Sequence, residues 1–121
     1  MSNTLLSILS ATFYEKAKNK QSFVLNVLAS WCSDCSEQQV NIQAFANLMA
    51  ESQLEVLQLT AQKEKGIYID ADHQTLIEAL GGHGYPRTVL VLNGKVVSSD
   101  HVEVISENDL TKLAETFGNL L

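Results

Sequence analysis

The pentapeptide Trp31-Cys32-Ser33-Asp34-Cys35 constrains this chain more than any other stretch, because it holds both cysteines and the only tryptophan and marks a change of periodicity. Before it, Phe23 to Ala29 (FVLNVLA) is a nearly unbroken apolar run of strand length, as expected for a strand buried on both faces. After it, Val40, Ala44, Phe45, Leu48 and Met49 recur at three and four residues, with Gln39, Gln43, Asn47 and Glu51 between them. That is the pattern of a one-sided helix. The cysteines are therefore predicted where a strand ends and a helix begins.

This placement carries chemistry. The first turn of a helix has unpaired N–H groups and a partial positive charge, which favour a thiolate over a thiol. Cys32 is expected to be the nucleophile. Cys35, three residues on, falls on the same helical face and is placed to attack a mixed disulfide at Cys32 as the resolving thiol. Two other readings stay open. A Cys pair can be half of a zinc site, but such a site takes about four ligands, and His73, His83 and His101 are not spaced as a ligand pair. The pair can also be buried and inert, although a strand-to-helix junction usually presents side chains to solvent.

With 121 residues, 45% of them apolar, the chain is long enough for one compact domain, 1–121, and too short for two. A formal net charge of −6 without clustered Lys or Arg argues against nucleic acid and anionic membrane surfaces as partners. No apolar run approaches the 18 residues of a membrane span, so no membrane insertion is expected. Leu5, Leu9, Phe13 and Ala17 lie four apart, and Lys16, Lys18 and Lys20 gather downstream of them. The spacing predicts an amphipathic helix over 4–19 rather than a signal peptide, which would have a basic start. A chain from which an export signal had been removed would read the same.

Leu54 to Thr60 reads as a second strand, with Leu54, Val56 and Leu59 as packing positions. A polar loop over 63–66 follows, and Ile67 to Ile69 either extends a strand or covers the core. Asp70 or Asp72 can cap a helix built on Leu76, Ile77 and Leu80 and ended by Gly81 and Gly82. Thr88 to Leu92 and Val96 to Val104 are two strands joined by Asn93-Gly94, a strong hairpin signal. Ser106 caps a last helix carrying Leu110, Leu113, Ala114, Phe117 and Leu121. The order is helix, strand, helix, strand, helix, hairpin, helix: an α/β chain whose central sheet is covered by helices on both faces.

With these elements in place, the sequence resembles the thioredoxin superfamily from about Gln21 to Leu121, most specifically in ASWCSDC (Ala29 to Cys35) and GYPRTVLVLNGKVV (Gly84 to Val97). The resemblance implies a thioredoxin-like fold with a central mixed β-sheet. It implies that Cys32 and Cys35 are the nucleophilic and resolving cysteines and that Trp31 packs beside them. It also implies that Pro86 is a cis-proline, with the backbone of Tyr85 offered to an extended substrate.

Three departures from the family pattern bear on chemistry. Ser33 and Asp34 replace the usual glycine and proline between the cysteines. Asp34 suits the helix dipole but opposes a neighbouring thiolate, which would make the dithiol more reducing; it can equally be a plain helix-start residue. Asn26 and Gln58 stand where thioredoxins keep a buried aspartate and a lysine, so both positions have become neutral together. Asn26 is similar to the exported reductase branch typified by TlpA and ResA, and it can also be read as a hydrogen-bonded core amide. Glu103 stands where thioredoxins usually keep a glycine in the loop before the last helix, and the connection over 60–70 is longer than usual; both could narrow or recharge the surface around Cys32, and each can equally be read as a solvated loop.

The expected function is that of a thiol:disulfide oxidoreductase whose redox-active Cys32–Cys35 disulfide is its only redox group, with no metal and no organic cofactor. Protein dithiol/disulfide substrates, an upstream thiol reductant, a monomeric state and a cytoplasmic location complete the expectation. The Asn26 pattern points instead to the bacterial cell envelope. The opposing reading is a thioredoxin-like binding module acting as a redox sensor or copper-binding protein, with His83 as a third ligand.

Overall fold

The computed structural model describes residues 5–121. Its elements are β1 (Leu6–Ser7), α1 (Ser10–Lys18), β2 (Phe23–Ala29), α2 (Ser33–Gln39), α3 (Ile42–Glu51), β3 (Glu55–Glu64), β4 (Ile67–Tyr68), α4 (Ala71–Ala79), β5 (Arg87–Leu92), β6 (Lys95–Val102) and α5 (Glu107–Gly118). The sheet runs β1-β3-β2-β5-β6, and β4 adds to β3. β1 and β2 are parallel to β3, whereas β4, β5 and β6 each pair antiparallel with their neighbours.

The apolar run of β2 is continuous because both of its faces are covered. Phe23, Leu25, Val27 and Ala29 join a core that also takes Phe13 of α1 and Leu76 and Ile77 of α4. Val24 points the other way, into a core with Phe45 and Met49 of α3 and Leu110, Leu113 and Phe117 of α5. β5 divides in the same way, Val89 and Val91 against Leu90. Each fully buried Leu, Ile or Phe contributes about 1.5–3 kcal/mol, so a sheet with such residues on both faces requires helices on both.

The structure differs from the sequence expectation at several places, each with a local cause. The helix expected over 4–19 is confined to Ser10–Lys18; residue 4 lies outside the described residues. Leu6 and Ser7 instead pair with Leu57 and Gln58 at the open edge of β3, and Ile8 N–H adds a bond to the Gln58 carbonyl at 2.8 Å. The single helix expected after the cysteines is two. Val40 fits the helical period but is 83% exposed, and Ile42 takes the buried place. Between them, Asn41 N–H turns back to the Gln38 carbonyl (2.8 Å) and its side chain donates to the Ile105 carbonyl (3.0 Å), tying the break to the segment before α5. The loop expected at 63–66 is a hairpin turn, with Gly66 at φ +83 and β4 folding back on an extended β3. Of the two candidate caps of α4, Asp70 is the one used. It accepts the His73 N–H at 2.8 Å and lies 2.7 Å from His73 Nδ1, and these bonds hold its carboxyl below the usual range. Asn93 and Gly94 both have positive φ, as a two-residue hairpin requires, and a side chain on Gly94 would strike the Ala17 carbonyl.

Candidate active site

β2 delivers Ala29 to the edge of the core, and the chain turns once before α2. Cys32 is the N-cap of that helix: its backbone is extended (φ −86, ψ 112) and its sulfur accepts the Cys35 N–H at 3.1 Å. The helix end thus directs one of its unpaired donors at the Cys32 sulfur. Cys35 lies one turn on, beneath Cys32. Both are free thiols and both are largely covered, with 7% and 4% of their surface exposed. The presentation to solvent expected for the pair is therefore narrow. Cys32 opens on a cleft of about 340 Å³, which is also lined by Trp31, Asp34, His83, Tyr85 and Glu103. Ser33 lines the same cleft.

Cys35 stays under that surface. Burial, reinforced by its hydrogen bond with the Cys32 side chain and by the nearby Asp34 charge, pushes the Cys35 thiol up to about 12. The two sulfurs of one helical turn therefore differ in access, and the covered one is strongly held as a thiol.

The cleft's far wall is the loop before β5. The Tyr85–Pro86 peptide bond is cis, and the Tyr85 carbonyl accepts from Cys32 Sγ at 3.7 Å. The Tyr85 phenol is buried beside Tyr68, and that burial raises it above the ordinary tyrosine range. Its ring packs edge-on against Trp31 and His83, each with centroids 6.0 Å away. Trp31 is fixed in turn by its indole N–H, which donates to Gln62 Oε1 at 3.0 Å. Lys65 stands over the Trp31 ring, 5.6 Å from its centroid. Glu103 takes a left-handed backbone (φ +58), and its N–H donates to the Pro86 carbonyl at 2.8 Å.

Under the motif lies a floor of neutral amides. Asn26 on β2 faces Gln58 on β3 and Thr88 on β5 in the sheet register. Its Nδ2 donates to Gln58 Oε1 (3.2 Å) and to Gln38 Oε1 (2.8 Å), while its Oδ1 accepts from Gln38 Nε2 (3.2 Å) and Thr88 Oγ1 (3.3 Å). Gln38 Nε2 also donates to the Val104 carbonyl at 2.9 Å, and Gln58 exchanges a pair of bonds with Gln39 (2.7 and 3.2 Å). Every amide end of Asn26 and Gln38 is thereby satisfied, which a buried polar group requires.

Sequence reasoning named Asn26 and Gln58 but passed over Gln38 and Gln39, since glutamines on an amphipathic helix read as its solvated face. It also passed over Arg87. That guanidinium is buried and donates to the carbonyls of Leu80 (3.3 Å), His83 (2.9 Å) and Ser99 (2.6 Å), holding the loop that carries Tyr85. Gly81 makes room for it: a Cβ there would lie 2.6 Å from Arg87 Nη1. The signal available was a charged residue at the start of an otherwise uncharged strand, β5 (Arg87–Leu92).

The histidines are apart from one another. His73 is buried at the start of α4, His101 packs on Phe117, and only His83 lines the cleft. Among the described residues no group of three or more His, Cys, Asp or Glu side chains is arranged to hold a metal ion. No described helix is long and apolar enough to cross a membrane.

No protein-family model and no curated protein matches the sequence. Solved structures do match it. Thioredoxin f2 of Chlamydomonas reinhardtii superposes with a TM-score of 0.70 at 15% identity, covering 94% of this chain and 96% of its own. The thioredoxin of Trypanosoma brucei brucei gives 0.70 at 11% identity, with 99% and 93% covered. Mitochondrial thioredoxin 3 of Saccharomyces cerevisiae, in its oxidized form, gives 0.66 at 13% identity, with 93% and 94% covered. With its mixed sheet, its two helical layers and its cysteine pair at the end of β2, the chain has the thioredoxin fold.

Proposed function

We propose that the protein is a thiol:disulfide oxidoreductase that reduces disulfides of protein partners, Cys32 and Cys35 being its catalytic residues. One observation carries this reading: two free thiols share one helical turn, the first opening on a cleft and the second covered and held protonated. In the first step the Cys32 thiolate attacks one sulfur of the partner's disulfide; that S–S bond breaks, a Cys32–partner mixed disulfide forms, and the other partner sulfur leaves and takes up a proton. In the second, Cys35 loses its proton and attacks the Cys32 sulfur. The mixed disulfide breaks, Cys32 and Cys35 become a disulfide, and the second partner thiol is released. Two electrons and two protons pass from the protein dithiol to the partner, and an upstream dithiol reductant restores them.

The surrounding residues fit positioning roles in this scheme. The Cys35 N–H stabilises charge on the Cys32 sulfur. Tyr85 and Pro86 form the wall along which an extended partner segment would lie, with Glu103 at its end and Ser33 and Asp34 at its entrance. Trp31 braces Tyr85, while Asn26 and Gln58 support α2 from below through Gln38 and Gln39. The proposal includes a single-domain monomer working in the cytoplasm, which gel filtration and cell fractionation check. The chemistry is tested by insulin reduction with dithiothreitol as the donor. The wild-type protein should accelerate precipitation of the insulin B chain, and Cys32→Ser should abolish the acceleration. A wild-type protein that leaves the dithiothreitol rate unchanged overturns the reading and leaves a binding module.

A further inference from the structure

The cleft at Cys32 also carries information about which disulfides enter it. Two acidic residues line it, Asp34 from between the cysteines and Glu103 from the loop before α5, together with His83 and with no lysine or arginine among the lining residues. Lys65, which stands over the Trp31 ring, is not part of the lining. Among the described residues neither carboxylate has a hydrogen-bond or ion-pair partner. Glu103 stands in a left-handed conformation that glycine adopts freely and a side chain disfavours. Its N–H bond to the Pro86 carbonyl fixes it against Pro86, next to the Tyr85 carbonyl that faces the Cys32 sulfur. A residue costly to the fold thus places an unpaired charge in the cleft.

Resting on the thiol:disulfide reading above, we propose that this cleft selects partner segments in which basic residues flank the disulfide cysteine, with Glu103 the specificity-determining residue and Asp34 its second contact. Three consequences of charge act in the same direction. Lys or Arg beside the partner cysteine pairs with carboxylates that otherwise lack a partner. An acidic flank is repelled by both. Basic flanks also lower the pKa of the departing thiol, which speeds its departure from the disulfide. The protein's overall charge of −6 adds long-range attraction for basic partners.

The test uses three peptide disulfides identical except for Lys, Gln or Glu on either side of the cysteine. Each is reduced by the pre-reduced protein at about 20 mM and about 0.5 M salt, a change in Debye length from roughly 20 Å to roughly 4 Å. Every rate is divided by that of dithiothreitol on the same peptide, which removes the intrinsic reactivity of the disulfide. The expected order is Lys over Gln over Glu, with a Lys-to-Glu ratio of about tenfold at low salt that shrinks several-fold at high salt. Glu103→Gln should reduce the ratio, Glu103→Lys should reverse it, and Glu103→Gly, which also relieves the backbone, should match Glu103→Gln. Peptides reduced at equal normalised rates overturn this inference and leave the oxidoreductase reading intact. A preference that survives Glu103→Lys unchanged removes Glu103 from the role. If no peptide is reduced faster than by dithiothreitol alone at matched thiol concentration, the oxidoreductase reading itself fails.

Discussion

Asn26→Asp replaces one atom in the amide floor beneath the cysteines, and the hydrogen bonds around it set the expected consequence. The new carboxylate keeps the two bonds that Asn26 accepts, from Gln38 Nε2 and Thr88 Oγ1. It loses the two that Asn26 donates, so its second oxygen faces Gln38 Oε1 and Gln58 Oε1, which lay 2.8 and 3.2 Å from the amide nitrogen. Gln38 cannot turn its amide over without giving up the Val104 carbonyl, and Gln58 can turn only if Gln39 turns with it. The site has no solvent exposure. An uncompensated buried charge costs about 3–5 kcal/mol, and the two retained bonds bring the expected loss to about 3 kcal/mol at pH 7.

At 1.36 kcal/mol per pKa unit, a loss of about 3 kcal/mol places the folded-state carboxyl roughly two units above its unfolded value of about 3.9, near pH 6. Between those values the folded state binds more protons than the unfolded one. The stability of the mutant therefore falls as pH rises from about 4 through about 6 and levels off above, whereas below about 4 the neutral acid can donate to Gln38 Oε1 and most of the loss disappears. Urea midpoints across this range, at unchanged m, measure it. Because Gln58 lies directly across the register from Asn26, adding Gln58→Lys should recover about half of the loss at pH 7. Additivity of the two substitutions to within about 0.5 kcal/mol, or a loss independent of pH between 4 and 8, would refute the reasoning.

In the reduced protein iodoacetamide should alkylate Cys32 well before Cys35, checked by mass spectrometry of timed digests; with its thiol pushed up to about 12, Cys35 is on the order of 10⁻⁴ ionised at pH 8 and should label about tenfold faster per pH unit up to pH 11. The same shift from the ordinary 9.0 means that the folded protein holds this proton longer than the unfolded chain, so stability should decline as pH climbs from about 9 towards 12, followed by urea titration. Cys35→Ser should accumulate disulfide-linked partner complexes and Cys32→Ser should not; identical species from both on non-reducing gels would contradict the proposed order of attack. Gly81→Ala puts a methyl group 2.6 Å from the buried Arg87 guanidinium at a residue with φ +127, where a side chain is strained, and should cost about 2–4 kcal/mol in urea unfolding; a loss below about 0.5 kcal/mol would contradict both the contact and the strain.

The readable parts of the sequence were those governed by local pattern. The cysteines at a strand-to-helix junction follow from a change of period, the β5–β6 hairpin from Asn93-Gly94, and the cap of α5 from Ser106, whose hydroxyl accepts the Asp109 N–H at 3.1 Å. The position of Asn26 opposite Gln58 was legible only through the resemblance, which aligns the two with the buried acid and lysine of thioredoxins, and the register places them opposite each other. What escaped notice depends on contacts distant in sequence. Val40 continues a helical period, and the break there shows only in the Asn41 N–H turning back to the Gln38 carbonyl and its tether to the Ile105 carbonyl. Two residues, Leu6 and Ser7, have no pattern of their own and become a strand by meeting the β3 edge. Gln38 is fully buried yet lies beside exposed Glu37, so its partners across the sheet and at Val104, not its neighbours in sequence, decide its place.

The amide floor also bears on how the second sulfur sheds its proton. Burial, the Cys32 side chain and the Asp34 charge raise the Cys35 thiol, and the Ala29 backbone lowers it. A base under the motif would draw the proton inward; Asn26, Gln38 and Gln58 carry no charge and have their amide groups committed to one another. In the proposed scheme the proton would leave upward, past Cys32 into the cleft that Asp34 and Glu103 line. While Cys32 is thiolate, its negative charge opposes a second ionisation one turn away. Once Cys32 is bound in a mixed disulfide that charge is gone, and a basic partner segment in the cleft would offset Asp34 as well. In the proposed scheme, formation of the mixed disulfide would remove the Cys32 charge that opposes ionisation of Cys35, burial remaining the larger cause, and the same carboxylates that would select the partner would tie its arrival to its release.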